Sequence, residues 1–256
     1  MATSHLYTDL SIYYDRFCQD IPYAHQANTL KRLEALFNES CGQHYLDIAC
    51  GTGQLMEQAQ KFGWQMSGLD NAQAMLTRAS SRCPEASWIL ADMVQIPAKP
   101  QYNFASCLLY SMHYTGSLKR LRGLFQAVWQ ALVPGGFWVF DCVDKRGIDN
   151  SAGITTYYRD GDEQFTFFSR WDYPGAGSRQ SLKLGIELTT PLQNLAWQDE
   201  HPMVAVSIHE VETLLAGMGF KVTLLERNFE QLIAWQGASF NFLVVAQKPL
   251  CAEEMS

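Results

Sequence analysis

The chain lacks a surplus of positive charge: 19 Lys and Arg stand against 26 Asp and Glu, for a formal net charge of −7. Duplex nucleic acid is a dense line of negative charge, and proteins that grip it supply an excess of cations. The densest basic cluster, Lys119, Arg120 and Arg122, reads as the solvated face of a helix, so no nucleic-acid partner is expected. No run of about 18 apolar residues exists, which excludes an apolar membrane-spanning helix. Residues 1–20 have no basic start followed by an apolar stretch, so no secretory signal is read there. No pair among Cys18, Cys41, Cys50, Cys83, Cys107, Cys142 and Cys251 is spaced as CxxC, and three of them (Cys50, Cys107, Cys142) sit in apolar runs. That pattern points to free thiols in a reducing, cytoplasmic compartment, with no disulfide framework and no metal site. GxSxG, GK[ST], internal repeats and low-complexity tracts are absent as well.

What is present is enough apolar material, 47% of residues, for one sizeable core with a small appendage. Apolar runs and helical periodicities alternate over residues 26–142. Residues 26–37 carry Leu30, Leu33, Leu36 and Phe37 at helical spacing. His44–Cys50 is a short apolar strand, followed by a helix over 54–61 and a strand over 64–69. Asn71 is expected to cap the next helix, which stops before Pro84. Strands over 87–91 and 102–109 follow, then a helix over 117–132 closed by a Pro134-Gly135-Gly136 turn, then a strand over 137–142. The alternation predicts an α/β, doubly wound, mainly parallel sheet covered on both faces. Residues 155–173 switch to Thr, Tyr, Phe and Trp, with turns at Asp160-Gly161 and 174–177, and further strands are expected over 180–190 and 203–207. These make an antiparallel insertion. Ser207 caps a last helix over 208–217 with Gly219 at its end, and strands over 220–226 and 240–246 complete the sheet. The expected division is residues 1–150 as core, 151–206 as insertion and 207–256 as the return to the core.

The chemistry concentrates at strand ends. Asp47-Ile48-Ala49-Cys50-Gly51-Thr52-Gly53 ends the first strand, Asp70 the second and Asp92-Met93 the third. A glycine turn alone is often only a tight turn, and one acid at a strand end is often only a helix cap. Three acids in order around such a turn suit a ligand with a ribose and an adenine, seated in the crevice beyond the strands. Met56 stands where a dinucleotide fingerprint needs a third small residue, so a pyrophosphate-bearing ligand fits less well.

These motifs resemble those of the class I S-adenosylmethionine (SAM)-dependent methyltransferases. DIACGTG (47–53) is similar to that family's cofactor loop, GLDNAQAML (68–76) to its ribose-acid motif, and ADM (91–93) to its adenine motif. LVPGG (132–136) and WVFD (138–141) resemble the turn and strand after its fourth helix. Tyr14-Asp15-Arg16-Phe17, Asp20-Ile21-Pro22-Tyr23, LLYSMHY (108–114) and the segment 199–220 resemble a small-molecule branch that includes amino-sugar and glycine N-methyltransferases. The resemblance implies a seven-stranded Rossmann-like methyltransferase sheet and SAM as cofactor, with S-adenosylhomocysteine (SAH) as product. It implies cofactor contacts from Tyr14, Asp47, Ala49, Cys50, Gly51, Gly53, Asp70, Asn71, Met75, Asp92, Met93, Leu108 and Leu109. It places Tyr23, Tyr110, Ser111, His113, Tyr114 and His201 at the substrate.

Methyl transfer from a sulfonium depends mainly on positioning, and a base is needed only for a nucleophile that carries its proton into the site. Tyr14 and His113 are the candidate catalytic residues; the alternatives are an aromatic staple and a bland loop histidine. His5, His25, His44 and His209 have no partner pattern. The aromatics between Tyr157 and Tyr173 form either an acceptor wall or the insertion's own core. A small-molecule acceptor is expected, with the protein a monomer or homodimer. The alternatives are an RNA or protein methyltransferase, disfavoured by acidity and by LLYS after strand four, a non-catalytic SAM/SAH-binding protein, and a nicotinamide-dependent oxidoreductase, disfavoured by Met56.

Overall fold

The computed structural model describes Tyr7 and residues 11–250. His5 and Cys251 lie outside the described residues. The sequence of elements is α1 (Ser11–Phe17), α2 (Tyr23–Phe37), β1 (His44–Ile48), α3 (Gln54–Ala59), β2 (Gln65–Asp70), α4 (Gln73–Arg82), β3 (Ser87–Leu90), β4 (Tyr102–Cys107), α5 (Leu118–Ala131) and β5 (Leu132–Val143). Then come β6 (Ile154–Asp160), β7 (Glu163–Asp172), β8 (Arg179–Thr189), β9 (Asn194–Val204), α6 (Ile208–Gly217), β10 (Lys221–Glu226) and β11 (Asn241–Gln247).

The near-continuous apolar strands explain the main layer. β4 is buried at every position and β1 at all but the first, as strands covered on both faces must be. They lie in a seven-stranded sheet of order β10-β11-β5-β4-β1-β2-β3, in which β11 runs antiparallel to both neighbours. The order switches direction beside β1, which pairs with both β2 and β4 in parallel. On one face α5 and α6 bury Leu121, Phe125, Val128, Val211 and Leu215 against Trp138 and Phe140. On the other, α2 and α3 bury Leu30, Leu33 and Met56 against Tyr45, Phe104 and Phe137.

The insertion is a second, four-stranded antiparallel sheet of order β6-β7-β8-β9. Its inner face carries Phe165, Phe167, Leu184, Ile186 and Leu188, packed against Tyr7, Tyr13, Tyr14 and Phe17. Within the aromatic stripe, Phe165 and Phe167 are therefore core, whereas Tyr157 is 76% exposed.

Four local expectations need correction. The helix expected over 54–61 ends at Ala59 and tightens into a 3-10 turn over Gln60–Phe62. Pro134-Gly135-Gly136 does not separate α5 from a later strand. β5 starts at Leu132 opposite Tyr102, and the register shifts across these residues before Phe104 pairs with Phe137. The strand expected over 203–207 is β9, reaching back to Asn194; β9 is an edge strand, where Pro202 and the acids Asp199 and Glu200 are tolerated. Asn71 is exposed and does not cap α4. The N-cap is Ala72, and its amide donates to Asp70 Oδ1 instead.

The shift in β5 depends on a close approach of two backbones. A Cβ on Gly136 would lie 2.7 Å from the Asn103 carbonyl oxygen and 3.0 Å from that of Val133. Both are main-chain atoms, so β4 and β5 would have to separate. Gly136→Ala is expected to lower the unfolding free energy by about 1–3 kcal/mol in urea titrations, as overpacking does; an unchanged midpoint would refute the close approach.

Candidate active site

The loop after β1 alternates left-handed residues: Ala49 (φ 59°), Gly51 (φ 55°) and Gly53 (φ 77°). Gly53 is also short of room, because an added Cβ would lie 3.1 Å from Ala79 Cβ and 3.3 Å from its Cα. At Gly51 the same atom would meet only the Tyr14 ring at 3.7 Å, an ordinary contact, so that glycine is required by its dihedral. Asp70, at the end of β2, braces the turn. Its Oδ2 accepts from Gly51 N at 2.9 Å and its Oδ1 from Ala72 N at 2.9 Å. Burial raises the Asp70 carboxyl above the usual range, although these backbone amides favour its charged form.

At the carboxyl ends of β1 and β4 a crevice opens. Of the residues expected at the cofactor, Tyr14, Asp47, Ala49, Cys50, Leu108 and Leu109 line it. Of those expected at the substrate, Tyr23 and Ser111 do. Asp47 is buried and its Oδ1 accepts from Ser106 Oγ at 2.6 Å, while Ser106 in turn lies 2.6 Å from the Tyr45 hydroxyl. Burial pushes the Asp47 carboxyl up to about 7, against the hydrogen bonds from Ser106 and Tyr45 that lower it.

Other expected residues are elsewhere. Met75 is buried in the core beneath the loop. Asp92 caps the short turn that contains Met93, accepting from Val94 N at 3.0 Å, and pairs with Arg120 at 2.6 Å; here the capping alternative is the geometry observed. His113 is the main correction. It is fully buried, its Nδ1 lies 2.8 Å from the Val204 carbonyl, and its Nε2 accepts from Val143 N at 3.1 Å. Burial lowers its pKa to about 4. With Nε2 accepting and Nδ1 donating, the ring is a neutral tie between β5 and the end of β9, not a base facing the crevice.

Tyr114 and His201 meet in a chain. The Tyr7 hydroxyl lies 2.6 Å from that of Tyr114, which lies 2.7 Å from His201 Nδ1, while His201 Nε2 lies 3.2 Å from Asp199 Oδ2. The Tyr7 ring is 5.8 Å from the Tyr14 ring, so this chain abuts the aromatic wall of the crevice. Tyr110 sits between Leu109 and Ser111 but turns to Trp171 of the insertion, with ring centroids 5.7 Å apart.

Sequence reasoning missed three groups. Asp15 of α1 accepts from Thr52 Oγ1 at 2.5 Å, Gln54 Nε2 at 3.0 Å and Arg82 at 2.8 Å, which ties the N-terminal helix to the glycine loop. Burial opposes ionisation of Asp15, but the Thr52 and Arg82 hydrogen bonds hold its carboxyl below the usual range. Asp141 is fully buried, and its Oδ1 accepts from Tyr110 N at 2.6 Å. Gln26 of α2 lines the crevice at 1% exposure, and among the described residues neither amide atom has a hydrogen-bond partner. A lone Gln on a helix gives no sequence signal for such a role; only its burial without a partner does.

Comparison with known proteins agrees with this geometry. Residues 46–136 match the family described as "Methyltransferase domain". A trans-aconitate 2-methyltransferase of Delftia acidovorans is 33% identical over 109 residues, which take in 41% of this chain and 39% of that enzyme. The chain thus spans well under half the length of that relative. Among solved structures, the sugar N-methyltransferase KedS8 from Streptoalloteichus superposes with a TM-score of 0.79 at 18% identity, covering 97% of this chain and 95% of that one. SAM-bound CalS10, an amino pentose methyltransferase from Micromonospora echinaspora, gives 0.77 at 18% identity, covering 93% and 96%. Residues 46–136 are thus similar to the methyltransferase domain family, and the chain around them has the fold of these solved sugar and amino pentose methyltransferases.

Proposed function

We propose that the protein transfers a methyl group from SAM to a small-molecule acceptor by in-line displacement, with the crevice beyond β1 and β4 as the cofactor seat. The observation that carries this reading is the buried Gln26 amide, without a hydrogen-bond partner among the described residues, in the same crevice lining as Ala49 and Cys50 of the left-handed loop. A buried amide without partners is costly, so a polar ligand that completes it is favoured there. The residues fit SAM: the carboxylate of Asp70, beside its backbone bonds, has remaining acceptor capacity for a ribose hydroxyl, the loop carries two glycines, and Gln26 offers both a donor and an acceptor. When bound, SAM supplies an electrophilic methyl on a sulfonium.

The chain's own groups do the positioning. Tyr14 and Tyr23 wall off water from the crevice, and Leu108 and Leu109 form its apolar side. His113, buried and lowered to a pKa of about 4, is not placed as a base at the crevice, and an acceptor that enters as a neutral nucleophile needs none. Residues 151–206 form the acceptor-facing unit in this reading, on residues 1–150 and 207–256 as the core. The six described cysteines, all free thiols, suit a cytoplasmic location. Among the described residues no helix is long and apolar enough to cross a membrane. The trans-aconitate in that relative's name is a small carboxylic acid, a size class that suits this reading.

Calorimetric titration tests the reading. SAM and SAH are expected to bind saturably, and Asp70→Ala is expected to weaken both at least tenfold, about 1.4 kcal/mol. Failure of wild-type protein to bind either compound would overturn it.

Asp47 supplies a pH dependence. Its folded pKa of about 7 lies above the unfolded value of about 3.9. The folded state therefore holds the proton more tightly. Its stabilising effect is complete below about pH 4 and is lost as pH rises to about 7. Asp47→Asn has no such proton, so its stability should gain on wild type across that window, by up to about 4 kcal/mol, and level off above it. Urea unfolding of both proteins at stepped pH would show this; a gap independent of pH would contradict the raised carboxyl.

A further inference from the structure

Arg227 follows directly on β10, at the carboxyl edge of the seven-stranded sheet. Its Nε donates to Asp141 Oδ2 at 2.8 Å. The other oxygen of Asp141 holds the Tyr110 amide. That amide needs holding, because Leu109 and Tyr110 are consecutive non-glycine residues at φ 57° and 60°, a strained pair. The guanidinium carbon lies 4.6 Å from the Tyr110 ring centroid and 5.2 Å from that of Phe229. The Arg227 side chain is thus pinned at Nε by a buried carboxylate and held against two rings.

Neutralising Asp141 requires only one cation in contact. Arg227 uses one of its three nitrogens for it. The two terminal nitrogens have no hydrogen-bond partner among the described residues, and the side chain remains 22% exposed. A lysine that paired with Asp141 would have nothing left to present in a fixed direction; a guanidinium held at Nε presents a rigid pair of donors that matches a carboxylate or phosphate. The place is also right. Tyr110 lies between the crevice residues Leu109 and Ser111, and the Trp171 ring from the insertion packs edge-on against it at 5.7 Å. Phe229 is tied to α2 through its carbonyl, which accepts from Thr29 one turn beyond Gln26. Arg227 therefore stands where the crevice, the loop after β4 and the insertion converge.

We propose that Arg227 anchors the methyl acceptor through an anionic group, a carboxylate or a phosphate, bound to its two terminal guanidinium nitrogens beside Tyr110. The acceptor is accordingly a small anionic molecule rather than a neutral or cationic one. This rests on the methyltransferase reading above, and the test separates the two.

Tricarballylate and inorganic pyrophosphate serve as probes of the two anion classes, each titrated calorimetrically into SAH-saturated protein at low ionic strength. Wild type is expected to bind at least one of them, and the probe that binds identifies the class. Arg227→Met alone would leave Asp141 buried and unpaired and is expected to be destabilised. The double variant Asp141→Asn/Arg227→Met removes both charges and keeps an oxygen for the Tyr110 amide. It should fold, keep its SAH affinity within twofold of wild type, and bind the probe at least tenfold more weakly. Arg227→Lys should fall between the two. Equal probe affinity in wild type and double variant, or no binding of either probe to wild type, would overturn the anchor. Loss of SAH binding in wild type would instead refute the cofactor seat, and the same titrations on free protein would still decide the role of Arg227.

Discussion

The carboxylate of Asp70 sits at the junction on which the crevice depends. One oxygen holds the amide of Gly51 in the loop after β1, and the other holds the first amide of the segment leading into α4. The loop around Gly51 carries three left-handed residues, one of them the non-glycine Ala49, and such a path persists only when its surroundings over-determine it. The parallel pairing of Asp47 with Gly68 and Ile48 with Leu69 brings Asp70 level with the loop. The strand order, the glycine turn and the acid are thus a single arrangement: β2 delivers the brace for the left-handed turn in which β1 ends.

Around that turn the molecule concentrates buried polar groups that are satisfied by one another. Asp15 gathers Thr52, Gln54 and Arg82; Asp47 is served by Ser106 and Tyr45; Asp141 holds Tyr110 and Arg227. Each network joins segments far apart in the chain, and each rigidifies one wall of the crevice. Gln26 differs from these carboxylates: among the described residues its buried amide has no partner, and it lies in the crevice lining.

The insertion completes the enclosure by a different means. Its sheet buries Phe165 and Phe167 against Tyr13, Tyr14 and Phe17, so the N-terminal helix is wedged between the two sheets. Arg16 adds ion pairs to Asp160 at 2.7 Å and Glu163 at 3.4 Å at the hairpin between β6 and β7. Being partly exposed, these pairs orient the segment more than they stabilise it. Hydrophobic burial supplies the adhesion, and His113, tied to both Val143 and Val204, links the insertion's exit to the central sheet.

By itself the sequence determined the central layer and its ligand turn. Both are written in local patterns: apolar runs of strand length, a glycine turn directly after one of them, and acids at the ends of the next. Tyr14 and the loop 108–111 were legible for the same reason, as parts of short contiguous motifs, and Tyr14, Leu108 and Leu109 do line the crevice; the tie that Asp15 makes to the glycine loop was not. Only the tertiary structure decided what the isolated polar residues do. His113 reads as a loop histidine but is neutral and enclosed, because Val143 and Val204 arrive from other strands. β9 extends through Pro202 and two acids because it lies at a sheet edge, a fact of pairing that no local pattern contains. Asp141 and Arg227, 86 residues apart, become partners only when β11 inserts between their strands and brings the strand ends together. Strand and turn propensities act within a few residues, whereas burial and ion pairing depend on what the rest of the chain brings near.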